Sequence, residues 1–112
     1  MTDEFHKVVN LADLPQGQAR VFSVAGRRLA VCHVEDGDCY AIDDLCTHDG
    51  GPLGEGELNG NQIECPRHGA RFDVTTGKAM CLPAVLPVRN YKVEVRNDEI
   101  WIAVPVGVTG GA

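Results

Sequence analysis

Two glycine-rich segments dominate the sequence: Cys46-Thr47-His48-Asp49-Gly50-Gly51 and Cys65-Pro66-Arg67-His68-Gly69-Ala70. Each segment carries one cysteine and one histidine, spaced Cys-x-His in the first and Cys-x-x-His in the second, with sixteen residues between the two pairs. Thiolate and imidazole groups are ligands for zinc, copper and iron–sulfur centres. The two segments therefore predict a metal site.

The spacing of the ligands narrows the kind of metal site. Structural zinc sites usually begin with two cysteines on one short loop, whereas here each loop carries one cysteine and one histidine. Such a loop more naturally gives its cysteine to one metal and its histidine to a neighbouring metal. A two-iron cluster, with two cysteines on one iron and two histidines on the other, fits this pattern. The glycine-rich surroundings disfavour the alternative that these residues bind no metal.

Composition limits the class of protein. A chain of 112 residues is one ordinary domain, and thirteen Gly and six Pro favour a turn-rich β protein. The net charge of −6 argues against nucleic-acid binding. We find no signal peptide and no apolar run long enough to span a membrane. Five cysteines, an odd number, argue against a disulfide framework. We therefore expect a soluble, cytoplasmic, single-domain protein.

Alternating apolar patterns and turn residues predict antiparallel strands. The Ala25-Gly26, Asp36-Gly37 and Asn97-Asp98 pairs are expected to be hairpin turns. Asn59-Gly60 predicts another hairpin, with 62–64 pairing against 70–73. No stretch has a helical period, so 11–18 is expected to be a connector and 105–112 a flexible tail. The candidate strands are Phe5–Val9, Gln18–Val24, Arg27–Val34, Cys39–Asp43, Tyr91–Val95 and Ile100–Val104.

The ligand segments and the sequence after them resemble one known family. Downstream of the second segment stand Arg71-Phe72-Asp73, Thr76-Gly77-Lys78 and Cys81-x-Pro83. Together with the two ligand segments, these motifs resemble the Rieske [2Fe–2S] ferredoxins of bacterial aromatic ring-hydroxylating dioxygenase systems. The resemblance covers nearly the whole chain. It implies an all-β fold of stacked antiparallel sheets, with a cluster-binding subdomain at approximately 45–84 inserted in a base domain.

The resemblance also implies the site and the partners. It assigns one [2Fe–2S] cluster to four ligands, Cys46, His48, Cys65 and His68. Residues expected to surround the cluster without ligating it are Gly50, Gly69, Ala70, Phe72, Cys81 and Pro83. The implied role is that of a monomeric one-electron carrier, not an enzyme. Electrons would arrive from an NAD(P)H-dependent flavin reductase and leave for a terminal non-haem iron oxygenase.

Four positions separate this chain from the respiratory branch of the same family. That branch has two further cysteines, which form a disulfide, where this chain has Gly51 and Arg67. It also has a Ser and a Tyr, whose hydroxyls donate to the cluster, where this chain has Ala70 and Phe72. Side chains without a donor favour the less negative, oxidised cluster. We therefore expect a reduction potential near the low end of the Rieske range, about −150 mV.

The alternatives to an electron carrier are an oxygenase and an accessory or structural subunit. An oxygenase needs a second site with two histidines and a carboxylate, and only His6 and His33 remain for one. A regulatory or accessory subunit of another reductase, or a structural metal-binding module, stays open. Cys32 and Cys39 are expected to pack in the core, and Trp101 to belong to the core or the last hairpin.

The acidic residues are unevenly distributed. Nine lie between Glu35 and Glu64, where there is no Lys or Arg, and basic residues prevail from Cys65 to Arg96. This acidic block is either a solvated surface or a docking face for a basic partner, part of it near the cluster. Charge alone leaves both interpretations open.

Overall fold

The computed structural model describes residues 3–45, 53–66, 69–81 and 86–105. In these ranges the chain forms eleven strands and one short 3₁₀ helix, Leu11–Asp13, which confirms the all-β class. The strands are β1 (Asp3–Asn10), β2 (Gln18–Val24), β3 (Arg27–His33), β4 (Cys39–Asp43), β5 (Glu57–Asn59), β6 (Gln62–Glu64), β7 (Arg71–Asp73), β8 (Ala79–Cys81), β9 (Asn90–Tyr91), β10 (Val93–Arg96) and β11 (Glu99–Pro105).

The strands form three antiparallel sheets. The terminal sheet has the order β1-β11-β10, the central sheet β2-β3-β4-β9, and the site sheet β5-β6-β7-β8. All strands of the site sheet lie in sequence between β4 and β9, which are neighbours in the central sheet. The site sheet is therefore an insertion into the base formed by the other two sheets, as the resemblance implied. The boundaries of a subdomain at 45–84 stay a prediction.

The central sheet is buried on both faces. Leu29 and Val31 of β3 belong to one apolar cluster with Ile100 and Ile102 of the terminal sheet. The alternate residues of β3 belong to a second cluster, shared with the site sheet, which we call the site cluster. Because both faces are covered, β3 is buried continuously from Leu29 to His33 instead of alternating.

Two of the predicted hairpin turns have the backbone that a tight two-residue turn requires. Ala25 and Gly26 have φ of 49° and 82°, and Asn97 and Asp98 have φ of 50° and 62°. Positive φ at both central residues is typical of the type I′ turn, whose twist matches that of the flanking strands. These turns fix the registers of β2 with β3 and of β10 with β11.

One predicted strand is wrong as a single element. The stretch Tyr91–Val95 is divided between β9, which pairs with β4, and β10, which pairs with β11. Lys92 lies between them, and its carbonyl accepts a hydrogen bond from the Ala103 N–H at 2.9 Å. The chain thus passes from the central sheet to the terminal sheet at this residue.

Three further differences concern short elements. The connector at 11–18 begins with the 3₁₀ turn, and β5 and β8 were not predicted as strands. Pro105, expected in the tail, ends β11, and 106–112 lie outside the described residues. Within the described ranges, no helix has the length and apolar character needed to cross a membrane.

Candidate metal centre

The second ligand loop is the connection between β6 and β7. Glu64 pairs with Arg71, so the loop is the six-residue segment 65–70. The Cys65 N–H donates to the Ala70 carbonyl at 2.6 Å, and the Gly69 N–H donates to the Cys65 carbonyl at 3.0 Å. Gly69 has φ of 75°, a conformation that glycine adopts without strain. These contacts close the loop at its base and fix the backbone of Cys65.

The thiol of Cys65 lies on the inward face of the site sheet. Side chains alternate along β6, and Glu64 points outward to Arg71, with 3.2 Å between Oε1 and Nε. Cys65 is 1% exposed and belongs to the site cluster together with Ile63, Ala70 and Phe72. It forms no disulfide. A free thiol shielded from water is the donor that a thiolate-ligated iron cluster requires, so this residue fits such a group.

The two ends of the first ligand loop meet at one side chain. Asp44 follows β4, and its Oδ1 accepts hydrogen bonds from the Leu53 N–H at 2.8 Å and the Gly54 N–H at 2.7 Å. Leu53 is fully buried in the site cluster, the cluster that contains Cys65. The segment 45–52, which carries two of the predicted ligands, therefore ends at the apolar cluster that contains Cys65, and Asp44 holds its start against that end.

A third segment, 82–87, begins beside the strand that follows the second ligand loop. Cys81 of β8 pairs through its backbone with Arg71, the residue that follows the second ligand loop. The chain returns at Val88, which is also in the site cluster, and the Val88 N–H donates to the Gly77 carbonyl at 2.8 Å. A Cβ on Gly77 would lie 2.0 Å from the Val88 carbonyl oxygen. This close approach gives a physical reason for glycine in the Thr76-Gly77-Lys78 motif.

The structure thus brings at least one end of each of the three loops to one apolar cluster, through Leu53, Cys65, Ala70 and Val88. Of the predicted site residues, it describes Cys65, Gly69, Ala70, Phe72 and the backbone of Cys81, and it places the first four at the second loop or its following strand. The remaining predicted site residues lie outside the described residues: Cys46, His48, Gly50, His68 and Pro83.

Cys32 and Cys39 pack in the core, as predicted. They belong to the apolar clusters on opposite faces of the central sheet. Burial, followed by the proximity of Cys39, raises the pKa of the Cys32 thiol to about 12. Burial, followed by Asp38, raises the pKa of Cys39 to about 11. The apolar surroundings that raise both pKa values are those of structural thiols that pack in a core.

The other two histidines and the tryptophan make ordinary contacts. His33 is buried with its Nδ1 2.6 Å from the Leu14 carbonyl oxygen, so Nδ1 carries the proton and donates. His6 lies 3.3 Å from Glu4 on β1. Trp101 lies on β11 in the last hairpin, which is one of the two locations predicted for it. The Arg96 Cζ atom lies 5.1 Å from the centroid of its ring. None of the three is close to the second ligand loop in sequence or in strand pairing.

The acidic block does not form a single face. Glu35, Asp36 and Asp38 lie in the connection before β4, whereas the first ligand loop follows β4. Because β4 has five residues, the connection before it and the ligand loop after it are about 14 Å apart. Glu55 and Glu57 are exposed beside the site sheet. Glu64 also adjoins the second ligand loop but is paired with Arg71, and Asp44 at the first loop is buried. A docking face beside the ligand loops would therefore use Glu55 and Glu57 and exclude Glu35, Asp36 and Asp38.

Asp44 is the residue that sequence analysis missed. It was counted among the acidic surface residues, but its side chain is only 1% exposed and is fully engaged in hydrogen bonds. No periodicity marks such a residue. Its only signal in the sequence is its position, at the end of a strand and two residues before a ligand cysteine.

Three stacked antiparallel sheets, with one shielded free thiol on a loop of the inserted sheet, define a small all-β domain with a candidate metal ligand. The sequence matches the Rieske [2Fe–2S] domain over residues 4–92. The chain therefore belongs to the Rieske [2Fe–2S] family, and it carries one [2Fe–2S] cluster.

Relatives of known role agree on an electron-transfer protein. The chain is 41% identical over 102 residues to the ferredoxin component of the naphthalene 1,2-dioxygenase system of Pseudomonas putida, which covers 91% of this chain and 97% of that protein. The ferredoxin of carbazole 1,9a-dioxygenase from Nocardioides aromaticivorans IC177 superimposes with a TM-score of 0.86 at 39% identity, covering 94% of this chain and all of that one.

A third relative is known in a complex. The ferredoxin in a complex of reduced oxygenase and oxidized ferredoxin of carbazole 1,9a-dioxygenase has a TM-score of 0.83 and 39% identity, covering 88% of this chain and 92% of that one. The chain is thus a Rieske ferredoxin, an electron-transfer protein and not a catalytic subunit.

Proposed function

We propose that this ferredoxin carries single electrons from an NAD(P)H-dependent flavin reductase to a terminal non-haem iron oxygenase that acts on an aromatic compound. The observation that most directly supports cluster binding by this chain is the buried Cys65 thiol, whose backbone is held by two hydrogen bonds. The ferredoxin components of the naphthalene and carbazole systems support the choice of partners. We propose that the protein acts as a monomer in the cytoplasm.

The proposed ligands are Cys46 and Cys65 on one iron and His48 and His68 on the other. The cluster supplies one-electron redox chemistry, with the electron held on the iron that has the neutral imidazole ligands. The chain holds the Cys65 thiolate in place through the two backbone hydrogen bonds of the 65–70 loop. The apolar site cluster below keeps water from its sulfur.

Six further residues are proposed to surround the cluster without ligating it. Ala70 and Phe72 are fully buried and present no hydrogen-bond donor from their side chains. Gly69 allows the tight return of the second loop, at φ of 75°. Gly50, Cys81 and Pro83 complete this set. The cluster-binding subdomain is proposed to extend over approximately 45–84.

Ligand replacement tests the assignment. We expect Cys46→Ser and Cys65→Ser to abolish cluster assembly, and His48→Ala and His68→Ala to abolish it or leave a labile centre. Since cluster binding and loop order are coupled, these variants should also lose thermal stability. The measurements are iron content, the visible spectrum and the electron paramagnetic resonance (EPR) signal of the reduced protein.

The remaining cysteines provide the matched control. A triple variant with Ala at Cys32, Cys39 and Cys81 changes more cysteines than any ligand variant, yet it should keep the wild-type spectrum. If the triple variant folds but is colourless, the ligand cysteines have been assigned wrongly.

A further inference from the structure

The side chain of Asp44 is buried, with only 1% of its surface exposed. Its carboxylate accepts two backbone hydrogen bonds at Oδ1, from Leu53 at 2.8 Å and from Gly54 at 2.7 Å. Its Oδ2 lies 3.2 Å from Nη2 of Arg28, and its own N–H donates to the Arg28 carbonyl at 3.1 Å. A buried carboxylate is costly unless it is hydrogen-bonded, and these contacts satisfy it.

The contacts of Asp44 close a specific loop. Eight residues, 45–52, separate Asp44 from Leu53 in sequence, yet one carboxylate oxygen joins the two ends. Hydrogen bonds from backbone N–H groups to a carboxylate are charge-assisted and short. Burial strengthens them further, because water does not compete.

Both ends of this loop are otherwise rigid. Leu53 is fully buried in the site cluster, and a Cβ on Gly54 would lie 2.2 Å from Cγ2 of Val21. At the other end, Asp43 accepts a hydrogen bond from the Tyr91 hydroxyl at 2.5 Å, which fixes the end of β4 to β9. Asp44 is the polar link between these two rigid ends.

We propose that Asp44 is a positioning residue for the first ligand loop: by joining the ends of 45–52, it sets the position of Cys46 and His48 relative to Cys65. This rests on the ligand assignment proposed above. The hydrogen bonds from the Leu53 and Gly54 N–H groups account for this positioning. The ion pair contributes little, because the Arg28 side chain is 68% exposed and its charge is screened by water.

Four substitutions separate the geometry of the carboxylate from its charge. Asp44→Asn keeps an acceptor oxygen at the same distance from the backbone but removes the charge. Asp44→Glu keeps the charge but moves the oxygens by one methylene, and Asp44→Ala removes the acceptor. Arg28→Gln removes only the ion pair. Ile102→Ala, in the apolar cluster on the far side of the central sheet, is a control for general loss of stability.

The measurements are the rate of iron release to a chelator, the g-values of the reduced cluster and the melting temperature. Arg28→Gln should match the wild type. Asp44→Asn keeps an acceptor for the two N–H groups but loses the charge assistance, so its iron release should lie between those of the wild type and Asp44→Glu. Asp44→Ala and Asp44→Glu should release iron roughly 10–100-fold faster, as for other residues that orient metal ligands, and should show shifted or broadened g-values. Ile102→Ala should melt earlier with wild-type g-values.

Two results would overturn the proposal. One is an Asp44→Asn variant that releases iron as fast as Asp44→Glu and has equally altered g-values. This comparison tests the proposal even if Asp44→Ala does not fold. The other is an Asp44→Glu variant that keeps the wild-type g-values and releases iron no faster than its lowered melting temperature accounts for, as judged from Ile102→Ala. A wild-type protein without histidine-coordinated iron would instead contradict the ligand assignment itself, so the two failures are distinguishable.

Discussion

A hydroxyl introduced beside the cluster should raise its reduction potential. Ala70 and Phe72 are fully buried in the site cluster with Cys65, and neither side chain donates a hydrogen bond. Ala70→Ser and Phe72→Tyr each add one donor with little change in volume. A donor stabilises the reduced, more negative cluster more than the oxidised cluster, so each substitution should raise the potential.

The size of the effect follows from the burial of both positions. A hydrogen bond to a charged group contributes about 1.5–3 kcal/mol. If half of that distinguishes the two redox states, each donor raises the potential by roughly 30–60 mV, because 59 mV corresponds to a tenfold change in a one-electron equilibrium. If the hydroxyl finds no acceptor, the protein instead loses about 1–3 kcal/mol of stability and the potential does not change.

Protein-film voltammetry and thermal melting together test this prediction. The wild type should lie near −150 mV, at the low end of the Rieske range, and the double variant above either single variant. Ala30→Ser is the matched control, since Ala30 is equally buried in the site cluster but lies on β3, which carries no proposed ligand. It should lower the melting temperature without changing the potential. A wild-type potential well above zero, or a double variant at the wild-type potential, would refute the reasoning.

Two further predictions concern charge and pH. The charge reversals Glu55→Lys and Glu57→Lys should slow electron transfer from the proposed flavin reductase at low salt, in stopped-flow measurements. The effect should be larger than that of Glu35→Lys and Asp36→Lys at the far end of β4. Equal effects of the two pairs would favour a solvated surface without docking. The pKa of Cys32 is raised from 9.0 to about 12, so the protonated thiol stabilises the fold fully below pH 9 and this stability is lost as the pH rises through 12. Cys32→Ala should therefore lose less stability than the wild type between pH 8 and 11 in denaturant unfolding, and an equal loss would contradict the burial effect.

Local signals were enough to predict most of the base of the fold. The bounds of β2 and β4 follow from alternation and from turn residues such as Ala25-Gly26, which act over a few residues. All four strands of the site sheet have three residues each, too few for a period to be recognised. The prediction that 62–64 pairs with 70–73 rested instead on the Asn59-Gly60 turn. The division at Lys92 depends on which sheet each side of that residue joins, and sequence pattern alone does not specify this.

The sequence predicted the candidate ligands but not the residue that we propose positions two of them, Asp44. Cysteine and histidine spacing carries strong chemical information, so the family and its [2Fe–2S] cluster were predicted from it. The four ligand residues stay a prediction. Asp44 has no such spacing, because its role depends on the amides of Leu53 and Gly54, which reach it only in the folded chain. A carboxylate buried by distant backbone groups is indistinguishable, in sequence, from one on the surface.

The central claim is that one cluster is held by two cysteines and two histidines and takes a single electron. Electron–nuclear double resonance of the reduced protein, labelled with ¹⁵N only in histidine, tests it most directly. For the wild type, the account predicts one unpaired spin per protein, coupled strongly to two histidine nitrogens. In His68→Ala the signal should be lost or show only one such nitrogen. In His33→Ala both couplings should be kept. A reduced cluster without coupled histidine nitrogen, or one whose coupling changes in His33→Ala, would contradict it.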